Sequence, residues 1–543
     1  MDIEEKIKEK LAEIIKELGV EVEANSIVIE HSKVKEHGDL ATNVAMKLAR
    51  DLHKAPSAIA DDIIAKFKLD EVSKVEKAGP GFINFFLASD SIQSLVKEVI
   101  AQGEHFCDSE IGKGTKVCCE YVSANPTGTL HLGHARGAAF GDSITRLFKK
   151  CHYDITREYY INDAGNQINN LALSLHARYL EQCGEKGEIP ENGYHGKEII
   201  EFAKGIKEKY GDSKKELNDE NFEFFKDEGT KIALNNIKAD LHEFRVDFDV
   251  FTSEKAIRKA GKVEKVKELL KPYCYEEDGA TFLNTTKDGD DKDRVIVKKD
   301  GCYTYLLPDI AYHKDKFDRG FDRLIDLFGA DHHGYICRLK SSMKSLGYDP
   351  DKLDVSLVQM VKLFKDGQEY KMSKRTGNSV SMKELVEEVG VDAVRYFFNS
   401  RAGSQHLDFD LDLAKTMGTS NPVYYCQYAH ARLETLLEMG LAQGFNVDET
   451  GSKLVTDSEL DLIKVLGEYK NVVEDACLTL SPYKVTNYVR KLASSVNDFY
   501  TKCRVLDKDN KELTEARLGL CKASEIVLKD ALGLLGVSAP SHM

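Results

Sequence analysis

The feature that most constrains this chain is a β-branched and aromatic run, Lys116 to Val122, followed at once by Ser123-Ala124-Asn125-Pro126-Thr127-Gly128-Thr129-Leu130-His131-Leu132-Gly133-His134. The run reads as a buried strand. Asn125, Pro126 and Gly128 break it as a turn. From about His131, the spacing of Phe140, Ile144, Leu147 and Phe148 predicts a helix with one apolar stripe. Strand, turn and helix in that order suit a parallel sheet covered by helices.

Both histidines then fall in the first turn, three residues apart on one face. Backbone N–H groups there are expected to be unpaired and the helix dipole positive, which makes an anion site to which two imidazoles add donors. Gly133 between them lets a flat base or sugar approach the backbone. Taken alone, His-x-Gly-His fits a helix cap equally well. A second stretch, Lys371-Met372-Ser373-Lys374-Arg375-Thr376-Gly377-Asn378, follows Asp366-Gly367 and precedes a predicted capping box, Ser381-x-x-Glu384. Alone it would pass for a solvated basic turn. With the histidines it forms a cationic flap, because an ammonium on a flexible stem can follow phosphate charge as it moves.

The two stretches resemble the signatures of class I aminoacyl-tRNA synthetases, His-Ile-Gly-His and Lys-Met-Ser-Lys-Ser, with Leu132 and Arg375 as variants. The longer pattern is similar to the arginyl-tRNA synthetase family. It includes Ser123 to Gly128, Tyr160-Ile161-Asn162-Asp163-Ala164-Gly165-Asn166-Gln167, Tyr303-Thr304-Tyr305-Leu306-Leu307-Pro308-Asp309 and Tyr424 to Arg432. The resemblance runs nearly end to end. It implies a two-step reaction: arginine attacks the α-phosphate of ATP to give an adenylate, and the acyl group then passes to the 3′ end of tRNA(Arg).

By that resemblance His131, His134, Lys371 and Lys374 are catalytic, with Lys374 supplying the largest transition-state term. Asn125, Thr127, Gly128, Gly133, Met372 and Ser373 join them around ATP, and Mg²⁺ bridges phosphates without a protein ligand. Ser123, Asn125, Glu254, Tyr305, Asp309 and His332 would hold arginine. Two acids can take a planar guanidinium as a fork; lysine cannot fill both contacts, so discrimination needs no editing domain. Read only as residues, Glu254 after Ser253 fits a helix start, Tyr305 a core aromatic and His333 a structural role. Competing readings are a short nucleotidylyltransferase, a silent tRNA-binding paralogue, and a glutamyl or cysteinyl sister enzyme. The helical C-terminal part, the intact histidines and lysines, the acids Glu254 and Asp309, and the lack of a Cys–His cluster weigh against them.

At 543 residues the chain is expected to hold about three domains. The expected fold class is α/β: a Rossmann-like doubly wound parallel sheet (111–415), with an insertion at about 185–245 between the two halves of the sheet. A small N-terminal α+β domain (1–110) precedes it and an all-α helical bundle (416–543) follows; the resemblance makes these tRNA- and anticodon-binding parts. Strands are predicted over Phe82–Leu87, Thr156–Ile161, Val246–Phe251, Cys302–Leu306 and Leu324–Phe328. A helix is predicted over the stripe Ile3, Ile7, Leu11, Ile14, Ile15 and Leu18, and another over Val485, Tyr488, Val489, Leu492, Val496 and Phe499 after Ser481-Pro482.

Twelve cysteines without Cys-x-x-Cys spacing read as reduced thiols. No run of 18 apolar residues occurs and the first residues resemble neither signal nor transit peptide, so a cytoplasmic, membrane-free monomer is expected. A net charge of −15 argues against non-specific nucleic-acid binding, DNA included.

Overall fold

The computed structural model describes residues 3–32, 35–330, 334–370 and 380–543. These fall into two compact units. The first gathers Met1–Phe106, Arg432–Glu468 and Ser494–Val527; the second gathers Cys107–Ala431, Tyr469–Ala493 and Leu528–Met543.

In the first unit, helix Ile3–Glu17 buries Ile7, Leu11, Ile14 and Ile15 in a core shared with Leu40, Ile59, Ile83 and Phe85. The predicted strand Phe82–Leu87 pairs antiparallel with Val72–Ala78 and with Leu40–Thr42, which pairs in turn with Glu30–His31. This is the α+β domain that the helix stripe and the strand foretold.

The second unit is built on five parallel strands. Their order across the sheet is Leu353–Val358, Arg323–Gly329, Lys116–Glu120, Asp154–Ile161, Val250–Ser253. Winding starts at the central strand Lys116–Glu120, runs outward to Val250–Ser253, then returns to its other side. That reversal falls between Lys116–Glu120 and Arg323–Gly329, the kind of switch point at whose carboxyl ends doubly wound sheets take their ligands. Helix Leu132–Lys150 lies against the sheet with Phe140, Ile144, Leu147 and Phe148 all buried. It comes unusually close at Gly141, where a Cβ would sit 2.4 Å from the Tyr121 ring. Arg136, fully buried, ties the same helix down by donating to the carbonyls of Gln359, Gln405 and Ala402 at 2.8, 2.8 and 3.1 Å.

Three expectations need correction. The strand expected over Val246–Phe251 runs over Val250–Ser253 instead. Val246 is buried and Phe248 packs on Tyr121 and Tyr159, so these apolar residues plug the core ahead of the strand. Cys302–Leu306 is not a strand. Tyr303 makes one isolated bridge to Val297, and a helix starts at Leu306, with Pro308 in its first turn. The stretch expected to insert between the halves of the sheet holds helices Lys197–Tyr210 and Asp219–Glu243, packed on Asn166–Gln182. It leaves the sheet after the second strand and returns to the third, inside the first half. A separate antiparallel sheet of Cys274–Glu277, Ala280–Leu283 and Arg294–Val297 stands between the halves.

The C-terminal part is helical: Pro422–Ala442, Asp457–Gly467, Tyr469–Leu478, Tyr483–Lys502 and Lys511–Leu534. All six residues of the predicted stripe in Tyr483–Lys502 are buried.

Candidate active site

His131 is the N-cap of helix Leu132–Lys150. Its Nδ1 accepts from the N–H groups of Gly133 (3.0 Å) and His134 (3.4 Å), while His134 Nδ1 accepts from the His131 N–H at 3.3 Å. This corrects the expectation of unpaired first-turn donors: two of them are already taken by an imidazole. The cap reading holds, and an Nδ1 that accepts leaves Nε2 as the protonated atom of a neutral ring. The rings stack with centroids 3.6 Å apart. Burial, with His131 beside it, pushes His134 down to about 3, so it stays neutral at physiological pH. Gly133 is needed because a Cβ there would meet the His131 ring at 2.9 Å.

The described chain that resumes after the second stretch meets this point. His131 forms an antiparallel bridge with Ser381, and the Met382 N–H donates to the Leu130 carbonyl at 2.7 Å. The predicted capping box is present, with Ser381 Oγ accepting from the Glu384 N–H and Glu384 Oε2 accepting from the Ser381 N–H. Lys371, Met372, Ser373 and Lys374 lie outside the described residues, as do His332 and His333.

Between strand and helix the backbone is strained. Val122 and Ser123 have φ of 68° and 38°, and the Ser123 N–H closes a three-residue turn onto the Tyr121 carbonyl at 2.9 Å. A β-branched residue in that region costs energy, which the surrounding contacts must offset. The turn aims Ser123 Oγ at Glu120 Oε1 (2.8 Å) while the same oxygen accepts from the Tyr160 N–H at 3.1 Å. Asn125 donates to Gln167 Oε1 at 2.6 Å, and Thr127 and Gly128 form the turn that follows.

Glu254 and Asp309, remote in sequence, face a common group. The Tyr160 hydroxyl bonds Glu254 and feels Asp309 and Glu120 as well; burial first, then these three carboxylates, drive its pKa far up. Tyr335 bonds Asp309 and also feels Glu254, with the same consequence. Glu254 follows the N-cap Ser253 and is buried, which bears out the helix-start reading. Its Oε1 is bound by Arg258 from the next turn at 2.6 Å, and the Asn162 amide, oriented to satisfy its neighbours, donates to Oε2 at 2.9 Å. Tyr305 precedes helix Leu306–Asp318 and is 74% exposed, which removes the core-aromatic reading.

Sequence reasoning missed several members of this site: Tyr160, Tyr335 and Asn162 around the acids, and Glu120, His313, Lys316 and Asp326 beneath them. A signal for His313 and Lys316 was available. They interrupt an otherwise apolar helical stripe of Leu306, Leu307, Ile310 and Ala311, and a charge in such a stripe needs a buried partner.

Family comparison matches residues 95–420 to the class I tRNA synthetase (R) catalytic domain, residues 2–87 to the arginyl tRNA synthetase N-terminal domain and residues 426–543 to the DALR anticodon binding domain. Arginine–tRNA ligase 1 of Halalkalibacterium halodurans is 49% identical over 550 residues, spanning 100% of this chain and 99% of its own. The chain belongs to the arginyl-tRNA synthetase family. The arginine–tRNA ligase of Bacillus subtilis is 50% identical over 556 residues, with 100% of both chains covered. The Thermus thermophilus arginyl-tRNA synthetase structure, 22% identical, superposes with a TM-score of 0.77 over 100% of both chains, a likeness of fold. In this arginyl-tRNA synthetase family member, the strained turn and the stacked histidines follow the carboxyl end of Lys116–Glu120, and Glu254 follows that of Val250–Ser253.

Proposed function

We propose that the crevice at the carboxyl ends of the sheet is where arginine and ATP meet, with Glu254 and Asp309 taking the guanidinium and the histidine helix the nucleotide. The protein is a ligase that activates arginine with ATP and transfers it to tRNA. The observation that carries the arginine end of this reading is the Tyr160 hydroxyl, which hydrogen-bonds Glu254 and feels the charges of Asp309 and Glu120. A planar cation entering there meets carboxylates that inward-facing tyrosines already orient. Tyr305, exposed beside the first turn of its helix, would cover the ligand. Ser123, Asn125 and His332 would hold the amino and carboxylate ends.

Neither half of the reaction needs an enzyme nucleophile; the protein must align reactants and neutralise phosphate charge. Neutral His131 and His134 would donate from Nε2 to phosphate oxygens, with Asn125, Thr127, Gly128 and Gly133 lining the nucleotide. Lys371, Met372, Ser373 and Lys374 would close from the other flank, Lys374 bearing the largest share of transition-state charge. The bridge of Ser381 to His131 supports this pairing, because it brings the chain to the histidines just after the second stretch. Mg²⁺ would travel with the triphosphate. The spacing of Glu120, His313 and Asp326 could seat a cation, but the Lys316 ammonium contacts both carboxylates, so that cluster is no seat for a metal.

In the same reading residues 1–110 and 416–543 contact tRNA(Arg), the latter at the anticodon, around a catalytic part at 111–415. The enzyme works as a cytoplasmic monomer with no role on DNA or membranes. Among the described residues no helix is long and apolar enough to cross a membrane.

The purified chain incubated with bulk tRNA, ATP and each radiolabelled amino acid is expected to charge arginine alone. Asp309→Ala should raise the arginine KM about a hundredfold with the ATP KM nearly unchanged. An unchanged arginine KM would remove Asp309 from the guanidinium site.

A further inference from the structure

Asp326, Glu120 and Glu158 are register partners on three adjacent parallel strands, so their side chains leave the same face of the sheet in a row. Helix Leu306–Asp318 and its cap Arg319 lay three cations along that row. His313 Nε2 meets Asp326 Oδ2 at 2.6 Å, and Lys316 Nζ meets Asp326 Oδ1 at 2.7 Å and also contacts Glu120. Arg319 Nη2 meets Glu158 Oε2 at 2.6 Å. Steps of three residues keep all three on one face of the helix. His313, Lys316, Asp326 and Glu158 are each 0% exposed.

Two members of this row reach the pocket. Asp309 lies one turn before His313, whose Nδ1 bonds the Asp309 carbonyl at 2.8 Å and lies 3.2 Å from its Oδ1. In the middle of the row Glu120 Oε1 accepts from Ser123 Oγ at 2.8 Å. The path from the guanidinium subsite to the Ser123 subsite therefore runs through five buried or half-buried groups: Asp309, His313, Asp326, Lys316 and Glu120. Buried ion pairs are a poor source of stability, since apolar residues of the same volume often do as well. They are stiff, however, because displacing one member leaves a buried charge unpaired.

We propose that His313 and Lys316 are positioning residues that fix the separation between Asp309 and the Glu120–Ser123 anchor, and so set the side-chain length that the pocket accepts. This rests on the reading of Asp309 as the guanidinium site. Without the link, Asp309 and Ser123 can drift apart, and a substrate one methylene longer, homoarginine, is no longer penalised.

The test uses the full-length enzyme with tRNA, comparing kcat and KM for arginine and homoarginine. His313→Asn should raise the arginine KM about tenfold with kcat changed less than about threefold, while the homoarginine-to-arginine ratio of kcat/KM rises at least about fivefold. Arg319→Gln breaks the same row at Glu158, away from both anchors. It should lower the melting temperature yet leave that ratio unmoved. If His313→Asn does not accumulate as folded protein, Asp326→Asn keeps the shape, removes the charge that holds both His313 and Lys316, and carries the same expectation. An unchanged ratio in the folded variant, or an equal rise in Arg319→Gln, overturns the proposal. An unmoved arginine KM in Asp309→Ala overturns the underlying reading instead, so the two failures are distinguishable.

Discussion

His134 shows how one position in the fold assigns a protonation state. Burial and the neighbouring His131 ring hold it down to about 3, below an ordinary histidine near 6.5. The folded state therefore binds fewer protons than the unfolded chain between those values, and His134 contributes stability that is present above about pH 6.5 and lost as pH falls toward 3. Its charge does not change between pH 6 and 8. We expect His134→Asn to lower kcat about a hundredfold while leaving the midpoint of the acid limb of the kcat–pH profile in place; a shifted midpoint in adenylate-formation assays would show that His134 itself titrates. His313 stands at the opposite extreme. Burial and Lys316 oppose its charge, but Asp309 and Asp326 outweigh them and raise it to about 10. Two histidines of one site are thus kept in opposite charge states, the first as a neutral donor and the second as a cation between acids.

At the scale of elements, the approach of helix Leu132–Lys150 to the sheet is the most sensitive feature. Gly141→Ala places a Cβ 2.4 Å from the Tyr121 ring, and overpacking of this kind should destabilise the fold by about 1–3 kcal/mol. Chemical denaturation of the variant checks this, and a loss below about 0.5 kcal/mol would show that the helix can slide. Elements with a local signature were legible in the sequence. The turn at Asn125–Gly128 and the helix cap at His131 follow from neighbours a few residues apart, as does the Ser381–Glu384 box. The misread elements share a cause. The alternation in Tyr303 and Tyr305 resembles a strand until the helix start at Leu306 overrides it, and Val246 and Phe248 are apolar because they plug a core, not because they extend. The charged row under the pocket was illegible for a different reason. Glu120 and Asp326 become neighbours only through the register of two parallel strands more than 200 positions apart in sequence, and no local pattern encodes register.

Over the whole molecule the net charge is −15, so long-range electrostatics repel nucleic acid and any tRNA contact has to be made by local surfaces. Duplex DNA, which would have to bind non-specifically, should show a dissociation constant weaker than about 10⁻⁴ M at physiological salt; a gel shift at low micromolar protein would contradict this. The staple between His131 and Ser381 has a consequence at this scale. Lys374 stands seven positions before Ser381, so covalent geometry alone keeps its Cα within about 25 Å of that bridge. On the role proposed for Lys374, residues inserted between it and Ser381, without touching either signature, are expected to dilute its ammonium around the nucleotide and weaken catalysis by lowering local concentration alone.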